Sequence, residues 1–301
     1  MRVAAGRPAT LRWQLTDEGG TGLSPDSGHN PTVTVTAGDG TTALYTAQAA
    51  TLDQNDGAWE WVLPAQTNLD SLAVAWTTVA GGLTYTMNDT VDVVAQRLVE
   101  PYLLRQDADL ASLTNQQLLQ LLDQVEELIK TVIGYCPVLE GARPEWDTLR
   151  GTLNDALYVS GTVNGLPYGW GAGKMFVPGV KFPQPTIYAG TINGVALDPT
   201  NDIPKLQVME GCLVWADYRP WISGRYAFWL THGEPNPPRD LRWCCQKLMH
   251  HFVQKSNYPD RAYSIQTEGA SILFSMPNAD RPTGLPEVDA ILARYRLSSV
   301  I

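Results

Sequence analysis

Hydrophobic residues in the first 97 positions alternate with polar residues, which is the period of half-buried β-strands. The alternating apolar positions are Leu11, Trp13 and Leu15, then Val33 and Val35, then Trp59, Trp61 and Leu63, and finally Leu72, Val74 and Trp76. Glycine-containing turn sequences at 38–40, 55–57 and 81–82 separate these runs. Residues 1–97 are therefore predicted to form an immunoglobulin-like β-sandwich with its tryptophans in the core.

The hydrophobic period becomes helical after Arg97. A short helix is predicted over 100–113, and a longer one begins after Thr114, which forms a capping box with Gln117. The apolar positions of the longer helix recur every three or four residues; they are Leu118, Leu121, Leu122, Val125, Leu128, Ile129, Val132 and Ile133. Gly134 is predicted to end this helix. Its acids Asp123, Glu126 and Glu127 are expected on the opposite, solvated face.

Residues 135–237 are rich in glycine, proline and aromatic side chains and are predicted to form a β-rich insertion. Short strands are expected within it at 186–192, 206–208, 212–218 and 225–231. Helices are predicted over 238–256 and 285–296, since Pro237-Pro238 and Pro286 favour a helix start.

The predicted fold class is therefore a multidomain α+β protein. An immunoglobulin-like β-sandwich domain occupies 1–97. A second domain over 98–301 contains helices within 100–134, 238–256 and 285–296, with the β-rich insertion at 135–237.

Composition supports two folded domains and no membrane segment. The chain has 301 residues, of which 44% are hydrophobic and 17% charged, so it can bury real cores. The longest apolar runs fall short of the roughly 18 residues that a membrane helix needs, and the alternating start is unlike a signal peptide. Four cysteines are too few for a disulfide framework, which favours a reducing, intracellular origin.

The net charge of −10 argues against binding of nucleic acid through its phosphates. Residues 1–97 contain four arginines, no lysine and ten acidic residues. An acidic chain does not bind nucleic acid by neutralising phosphates. An acidic wall can nevertheless line a conduit for DNA, because it repels phosphate and prevents adhesion.

Two sequence motifs come close to known ligand-binding patterns. Residues 168–175 resemble a phosphate-binding loop but have Tyr168 where the first glycine belongs and Met175 where Ser or Thr belongs. Cys244, Cys245, His250 and His251 lie on one predicted helix, with Cys244 and His251 on a shared face. Zinc needs ligands converging from two elements, so a buried, unbonded cysteine pair is predicted instead.

His232 is a candidate catalytic base with Asp217, but no serine lies in a nucleophile motif. Acid pairs such as Glu126 and Glu127 lie on a polar helix face. We therefore predict that the protein is not an enzyme and has no catalytic residues, no bound cofactor and no metal site.

The last 70 residues carry the most specific pattern in the chain. A predicted strand ending in His232-Gly233 is followed by Pro237-Pro238 and a helix. Next come Arg261-Ala262-Tyr263-Ser264 and the segment Thr283-Gly284-Leu285-Pro286-Glu287-Val288-Asp289. This order resembles the head-to-tail adaptor (connector) proteins of long-tailed, siphovirus-type phages, especially those infecting actinobacteria. The resemblance covers about 98–301, and the N-terminal β domain is an addition to it.

The resemblance implies a structural role in the virion neck. Adaptor subunits form a dodecameric ring beneath the portal protein and extend the DNA channel toward a tail-side neck protein, a stopper or terminator. DNA passes through without sequence-specific binding, no membrane is involved, and assembly takes place in the host cytoplasm. The helices at 114–133 and 239–256 are expected to form the ring body.

The resemblance also places candidate partner residues near the C-terminus, which is expected to reach the portal protein. These residues are Val288, Ile291, Leu292, Arg294, Tyr295 and Arg296. Packing of the same helix on its own subunit is the competing interpretation. Asp123, Glu126 and Glu127 are the candidates for lining the channel.

Two alternative functions remain at this point. One is another neck protein, a stopper or tail terminator. The other is a secreted or surface β-rich binding protein whose sandwich holds a ligand.

Overall fold

A computed structural model describes most of the chain. The described residues are 1–17, 19–148, 160–163, 166–169, 174–176, 185–209, 212–217, 221, 224–253, 264–267, 270–273 and 282–296. Within them the protein is mixed α+β and mostly β, which confirms the predicted general class.

The described helices are α1 (Pro101–Leu104), α2 (Ala108–Ala111), α3 (Asn115–Ile133), α4 (Arg239–Val253) and α5 (Pro286–Tyr295), with a 3₁₀ turn at Ile203–Lys205. The strands before α1 are β1 (Arg2–Ala4), β2 (Ala9–Trp13), β3 (Thr32–Thr36), β4 (Ala43–Ala49), β5 (Thr51–Leu52), β6 (Trp59–Leu63), β7 (Ser71–Ala80) and β8 (Leu83–Val94). The strands after α3 are β9 (Glu140–Ala142), β10 (Glu145–Thr148), β11 (Ser160–Val163), β12 (Leu166–Gly169), β13 (Lys174–Phe176), β14 (Thr186–Ile192), β15 (Val195–Ala196), β16 (Leu206–Met209), β17 (Cys212–Trp215), β18 (Gly224–His232), β19 (Ser264–Thr267) and β20 (Ala270–Leu273).

Contacts divide the chain into two compact units. Met1–Ala95 and Leu139–Gly233 form the first, here called the β unit, and Gln96–Val138 and Glu234–Ile301 form the second, here called the helical unit. This grouping differs from the predicted domains, 1–97 and 98–301, because strands of the predicted insertion join the sheet of the N-terminal strands. Independent folding of 1–97 stays a prediction.

The β unit is organised around a large sheet. In the described part of the chain this sheet has ten strands, in the order β15-β14-β18-β9-β8-β7-β3-β4, with β1 beside β8 and β10 beside β18. Strand β9 pairs antiparallel with β18, His232 opposite Glu140, and meets β8 where Val94 faces Glu140. The β9 segment thus connects N-terminal strands to strands that lie over 100 residues later in the sequence.

The N-terminal strands share one hydrophobic core between two sheets. Strand β7 alternates strictly, with Leu72, Val74 and Trp76 buried. Strands β2, β6 and β5 form a separate three-stranded sheet whose apolar residues join the same core. The rings of Trp13 and Trp76, one from each sheet, lie 6.0 Å apart. The predicted core positions are confirmed, except that Trp61 is half-buried.

A second core in the β unit is aromatic and forms around β17 and β18. Buried Tyr226, Phe228 and Leu230 alternate along β18. Trp215 and Trp221 lie 4.9 Å apart, centroid to centroid, in the same cluster. The predicted strand at 186–192 is confirmed to the residue, and those at 206–208, 212–218 and 225–231 are confirmed with shifted ends.

Helix α3 of the helical unit forms as the sequence predicts. The Thr114 side chain accepts a hydrogen bond from the Gln117 N–H, and the Gln117 side chain accepts one from the Thr114 N–H. At the other end Gly134 adopts φ +84°, the left-handed conformation that ends helices and that glycine adopts at little cost. The interior of α3 buries one stripe: Leu118, Leu122, Val125, Ile129 and Ile133.

The predicted single helix over 100–113 is wrong, because two short helices occupy this range. Asp107 interrupts the helix: its backbone is extended, and its side chain accepts a hydrogen bond from the Asp109 N–H, which caps α2. Helices α4 and α5 lie within the predicted ranges, and Pro286 is the first residue of α5. In the described residues, the helices are too short or too polar to cross a membrane.

Candidate functional site

The helical unit contains a fully buried carboxylate, Glu126 of α3, whose exposed fraction is 0%. The Nε of Arg97 donates to its two oxygens at 3.1 and 3.0 Å. The Leu98 N–H donates to Oε1 at 2.8 Å. An Arg97 Nη lies 2.7 Å from an oxygen of Asp123, and the Arg97 side chain is only 3% exposed. We call Arg97, Asp123 and Glu126 the closed cluster.

The expectation that Glu126 lies on a solvated face is wrong. The residue follows Leu122 by four positions and precedes Ile129 by three, so it belongs to the buried stripe of α3. This spacing was the signal in the sequence. Because a channel-lining acid must reach solvent, Glu126 is no longer a channel-lining candidate. Asp123 is half-buried and paired with Arg97, and Glu127 is exposed.

The adjacent cysteines of α4 lie in the interior of the helical unit. Cys244 and Cys245 are both fully buried and free, which confirms the predicted unbonded pair. Burial, followed by the charge of Asp240, raises the pKa of Cys244 to about 12. Burial, followed by the charge of Glu126, also raises the pKa of Cys245. His251 lies seven residues after Cys244 on the same helix, as predicted, but is exposed near the helix end.

The conspicuous C-terminal pattern holds the start of α5. Asp289 Oδ1 accepts hydrogen bonds from the Thr283 N–H at 3.0 Å and the Thr283 hydroxyl at 2.8 Å. Gly284 takes φ +76° in the intervening turn, and Pro286 begins the helix. The Thr283 hydroxyl also accepts from the Leu285 N–H at 3.2 Å. Asp289 thus fixes the turn before the helix that contains it.

The structure separates the predicted partner-binding residues into inner and outer groups. Val288 and Leu292 are fully buried within the helical unit, which supports the competing interpretation of packing on the same subunit. Ile291 is half-buried. Buried side chains are unavailable to a partner, so Val288 and Leu292 are no longer partner-binding candidates.

The outer group of α5 faces solvent and the start of α4. The Tyr295 hydroxyl donates to Asp240 at 2.6 Å, and this hydrogen bond, followed by burial, raises the pKa of Tyr295 to about 12. Arg294 lies 3.3 Å from Asp240 and is exposed. Arg296 follows α5 and is exposed. The two exposed arginines make the end of α5 basic.

A second polar cluster joins α2 to the last turn of α4. His250 Nε2 lies 2.5 Å from Asp107 Oδ2, and His250 Nδ1 lies 3.4 Å from Asp109 Oδ2. A cavity of about 290 Å³ adjoins the cluster. We call Asp107, Asp109 and His250 the open cluster. Sequence reasoning missed it because the aspartates and the histidine are about 140 positions apart.

The structure does not bring His232 and Asp217 together. His232 is buried in the β unit, where its Nε2 lies 3.4 Å from Glu140 Oε1. Glu140 Oε2 also accepts from Arg2 Nη2 at 3.1 Å. Asp217 lies instead 3.6 Å from the Lys205 ammonium. His232 and Asp217 therefore contact different residues and do not form the catalytic pair considered from the sequence.

A third set of charges in the β unit surrounds Asp70. Arg143 donates to both oxygens of Asp70, at 2.9 and 2.8 Å, and the Gly38 N–H donates at 3.1 Å. The Arg143 guanidinium carbon lies 5.6 Å from the centre of the Trp229 ring. These contacts connect four distant parts of the sequence, and their role in holding the β unit together explains them without a ligand.

Two of the sequence motifs lie wholly or partly outside the described residues. They are the interior of the phosphate-loop-like segment, 170–173, and residues 261–263 of the C-terminal pattern. Comparison with known proteins adds no assignment, since no family model and no curated protein matches the chain.

Proposed function

We propose that this chain is a head-to-tail adaptor subunit of a long-tailed phage, forming a ring beneath the portal protein. The ring has twelve subunits, extends the DNA channel and meets a stopper or terminator on its tail side. In this proposal 1–97 is an immunoglobulin-like sandwich, and the helical unit belongs to the connector domain. The protein acts structurally, in the virion neck.

The observation that carries the proposal is the organised C-terminal pattern. Thr283, Gly284, Pro286 and Asp289 form one hydrogen-bonded turn, and Val288 is buried beside them. The residues that resemble the adaptor proteins thus act together in building the helical unit. This agreement between pattern and contacts supports the resemblance.

Surface charge supports the channel part of the proposal. The chain carries a net charge of −10, and Glu127 on α3 is the most exposed of the three candidates for the channel wall. In a ring each such acid is repeated by symmetry, which repels DNA phosphates and prevents adhesion. The exposed basic end of α5, at Arg294 and Arg296, is proposed for portal contact.

Negative-stain electron microscopy of the purified full chain tests the proposal. We expect closed rings with a central hole and twelvefold class averages. Particles that remain monomeric at all concentrations, even with the portal protein present, would contradict it. Rings of another stoichiometry would move the assignment to another neck protein.

A charge reversal tests the channel wall separately. We expect Glu127→Lys rings to retain double-stranded DNA at low salt. This retention should be lost at physiological ionic strength, where exposed charges are screened beyond about 8 Å. The matched control is Glu287→Lys, an exposed acid of α5 that lies outside the proposed wall. Equal DNA retention by the two variants would contradict the assignment of Glu127.

A further inference from the structure

We propose that the open cluster, Asp107, Asp109 and His250, is a binding site for a divalent transition metal of the zinc class. One potential ligand atom from each residue lies within 4.8 Å of the others. Two donors come from the start of α2 and the third comes from the last turn of α4. The site therefore draws on elements that are remote in sequence, as metal sites commonly do.

The donor set suits this class of ion. Two carboxylates and one imidazole supply two negative charges and one nitrogen ligand, which matches a divalent cation that accepts both oxygen and nitrogen. Zinc binds histidine nitrogen at about 2.0–2.1 Å and carboxylate oxygen at about 2.0–2.2 Å. Three protein ligands leave the fourth position of a tetrahedral ion for water. The imidazole favours zinc over magnesium or calcium, which prefer oxygen ligands alone.

One ligand is held in place by the fold. Asp107 Oδ1 accepts the Asp109 N–H at 3.1 Å, the cap of α2, and this contact orients the other oxygen, Oδ2, toward His250. The Asp109 carboxylate lies 3.4 Å from Nδ1, the other nitrogen of the His250 ring. The two carboxylates lie at opposite nitrogens of one ring, so an ion shared by all three residues requires the Asp109 side chain to rotate toward the Nε2 side.

The adjoining cavity gives the ion access and room for water. Its volume of about 290 Å³ exceeds the roughly 30 Å³ share of one liquid water. Asp107 and His250 are on its wall, with apolar Leu103, Leu110 and Trp243. Lys247 is the cation on this wall, and its ammonium lies over the Trp243 ring, 5.5 Å from the ring centre. The exposed fractions of the three ligands, 27% to 54%, allow an ion to enter from solvent.

Comparison with the closed cluster explains why the open cluster is the candidate metal site. In the closed cluster the carboxylate of Glu126 is surrounded by Arg97 and the Leu98 N–H, so no cation can replace its partners without unpacking the unit. In the open cluster a metal replaces two contacts between partly exposed side chains, one from His250 to Asp107 and one from His250 to Asp109.

Calorimetric titration of the full chain, freed of metal by chelation, with zinc chloride tests the proposal. We expect one zinc ion per chain. Removing a ligand with His250→Gln should weaken binding by at least the roughly 10- to 100-fold that loss of an outer-shell partner costs. His251→Gln changes the neighbouring exposed histidine and is the matched control, with unchanged affinity. Asp109→Asn should weaken binding without removing the α2 cap.

Cobalt substitution supplies a second readout. Co²⁺ bound through His250 and the aspartates should give visible absorption bands that His250→Gln removes and His251→Gln keeps. No stoichiometric zinc binding, or binding equal in wild type and His250→Gln, would overturn the proposal. Ring assembly is assayed with chelator present, so failure of the metal site and failure of the adaptor function give different results.

Discussion

The two polar clusters of the helical unit contain the same ingredients and differ in burial. Each has two acids and one base, and each ties a short segment to a long helix: Arg97 to α3 in the closed cluster, and α2 to α4 in the open cluster. The closed cluster is built around Glu126, which has no exposed surface. In the open cluster His250 is 27% exposed and a cavity lies alongside.

Burial determines what such a cluster can do. A buried ion pair that loses one partner leaves an uncompensated charge in a medium of low dielectric constant, so the cluster maintains the fold. Partly exposed ion pairs contribute at most about 1 kcal/mol, because water solvates either partner when the pair is broken. The open cluster can therefore exchange its internal contacts for a ligand at small cost.

The largest effect is expected from Glu126→Ala. This change removes a carboxylate partner of buried Arg97 and leaves the Leu98 N–H without its acceptor, which should cost about 3–5 kcal/mol. Urea unfolding of the full chain measures the loss. Glu127→Ala, one residue further along α3 and exposed, is the control and should stay within about 0.5 kcal/mol of wild type. Equal values for the two variants would show that burial does not govern the closed cluster.

An intermediate effect is expected from Asp289→Ala. Asp289 is a buried acid that belongs to neither cluster, and it accepts two hydrogen bonds from Thr283. Losing the acceptor should lower the free energy of unfolding by about 1–3 kcal/mol. Helix α5 should be the first element to unfold. Glu287→Ala, an exposed acid in the same first turn, serves as the comparison. A stability change as small as that of Glu287→Ala would contradict the role assigned to the C-terminal pattern.

A small effect on folding is expected from His250→Gln in metal-free protein. The histidine contacts two partly exposed carboxylates, so its loss should change the free energy of unfolding by no more than about 1 kcal/mol. Thermal melts of wild type and variant in chelator measure the difference. A loss as large as that of Glu126→Ala would mean that the open cluster is structural.

The smallest effect concerns a half-exposed hydrogen bond at the end of α5. The pKa of Tyr295 is raised from 10.0 to about 12, chiefly because its hydroxyl donates to Asp240. Between these two pKa values the folded state keeps a proton that the unfolded chain has lost. The stabilisation that Tyr295 contributes to the folded state is therefore present below pH 10 and disappears between pH 10 and 12. Tyr295→Phe should flatten the stability profile slightly in this range. An unchanged profile would contradict the assignment.

The local features of the helical unit were predictable because short-range contacts determine them. Thr114, Gln117 and Gly134 act within a turn of their own helix, so the start and end of α3 follow from the sequence. The break at Asp107 was not predicted, because the helical period continues through it while its side chain caps a new helix.

Long-range partners could not be read from the sequence. Arg97 lies 29 positions before Glu126, and nothing in the helical period identifies a buried acid's partner. In the β unit, alternation gives strands and their buried faces but not which strands pair. The contact of β8 with β9, which joins the N-terminal strands to the predicted insertion, is of this kind.

Hydrogen exchange at two backbone amides tests the contrast between the clusters most directly. The Leu98 N–H donates to Glu126 in the closed cluster, and the Asp109 N–H donates to Asp107 in the open one. Both amides are held by a carboxylate, so their protection differs only through the surroundings. We predict that Leu98 exchanges only through unfolding of the helical unit, whereas Asp109 exchanges by local opening, at least about tenfold faster. Equal protection of the two amides would contradict the distinction between a closed, structural cluster and an open, ligand-accessible one.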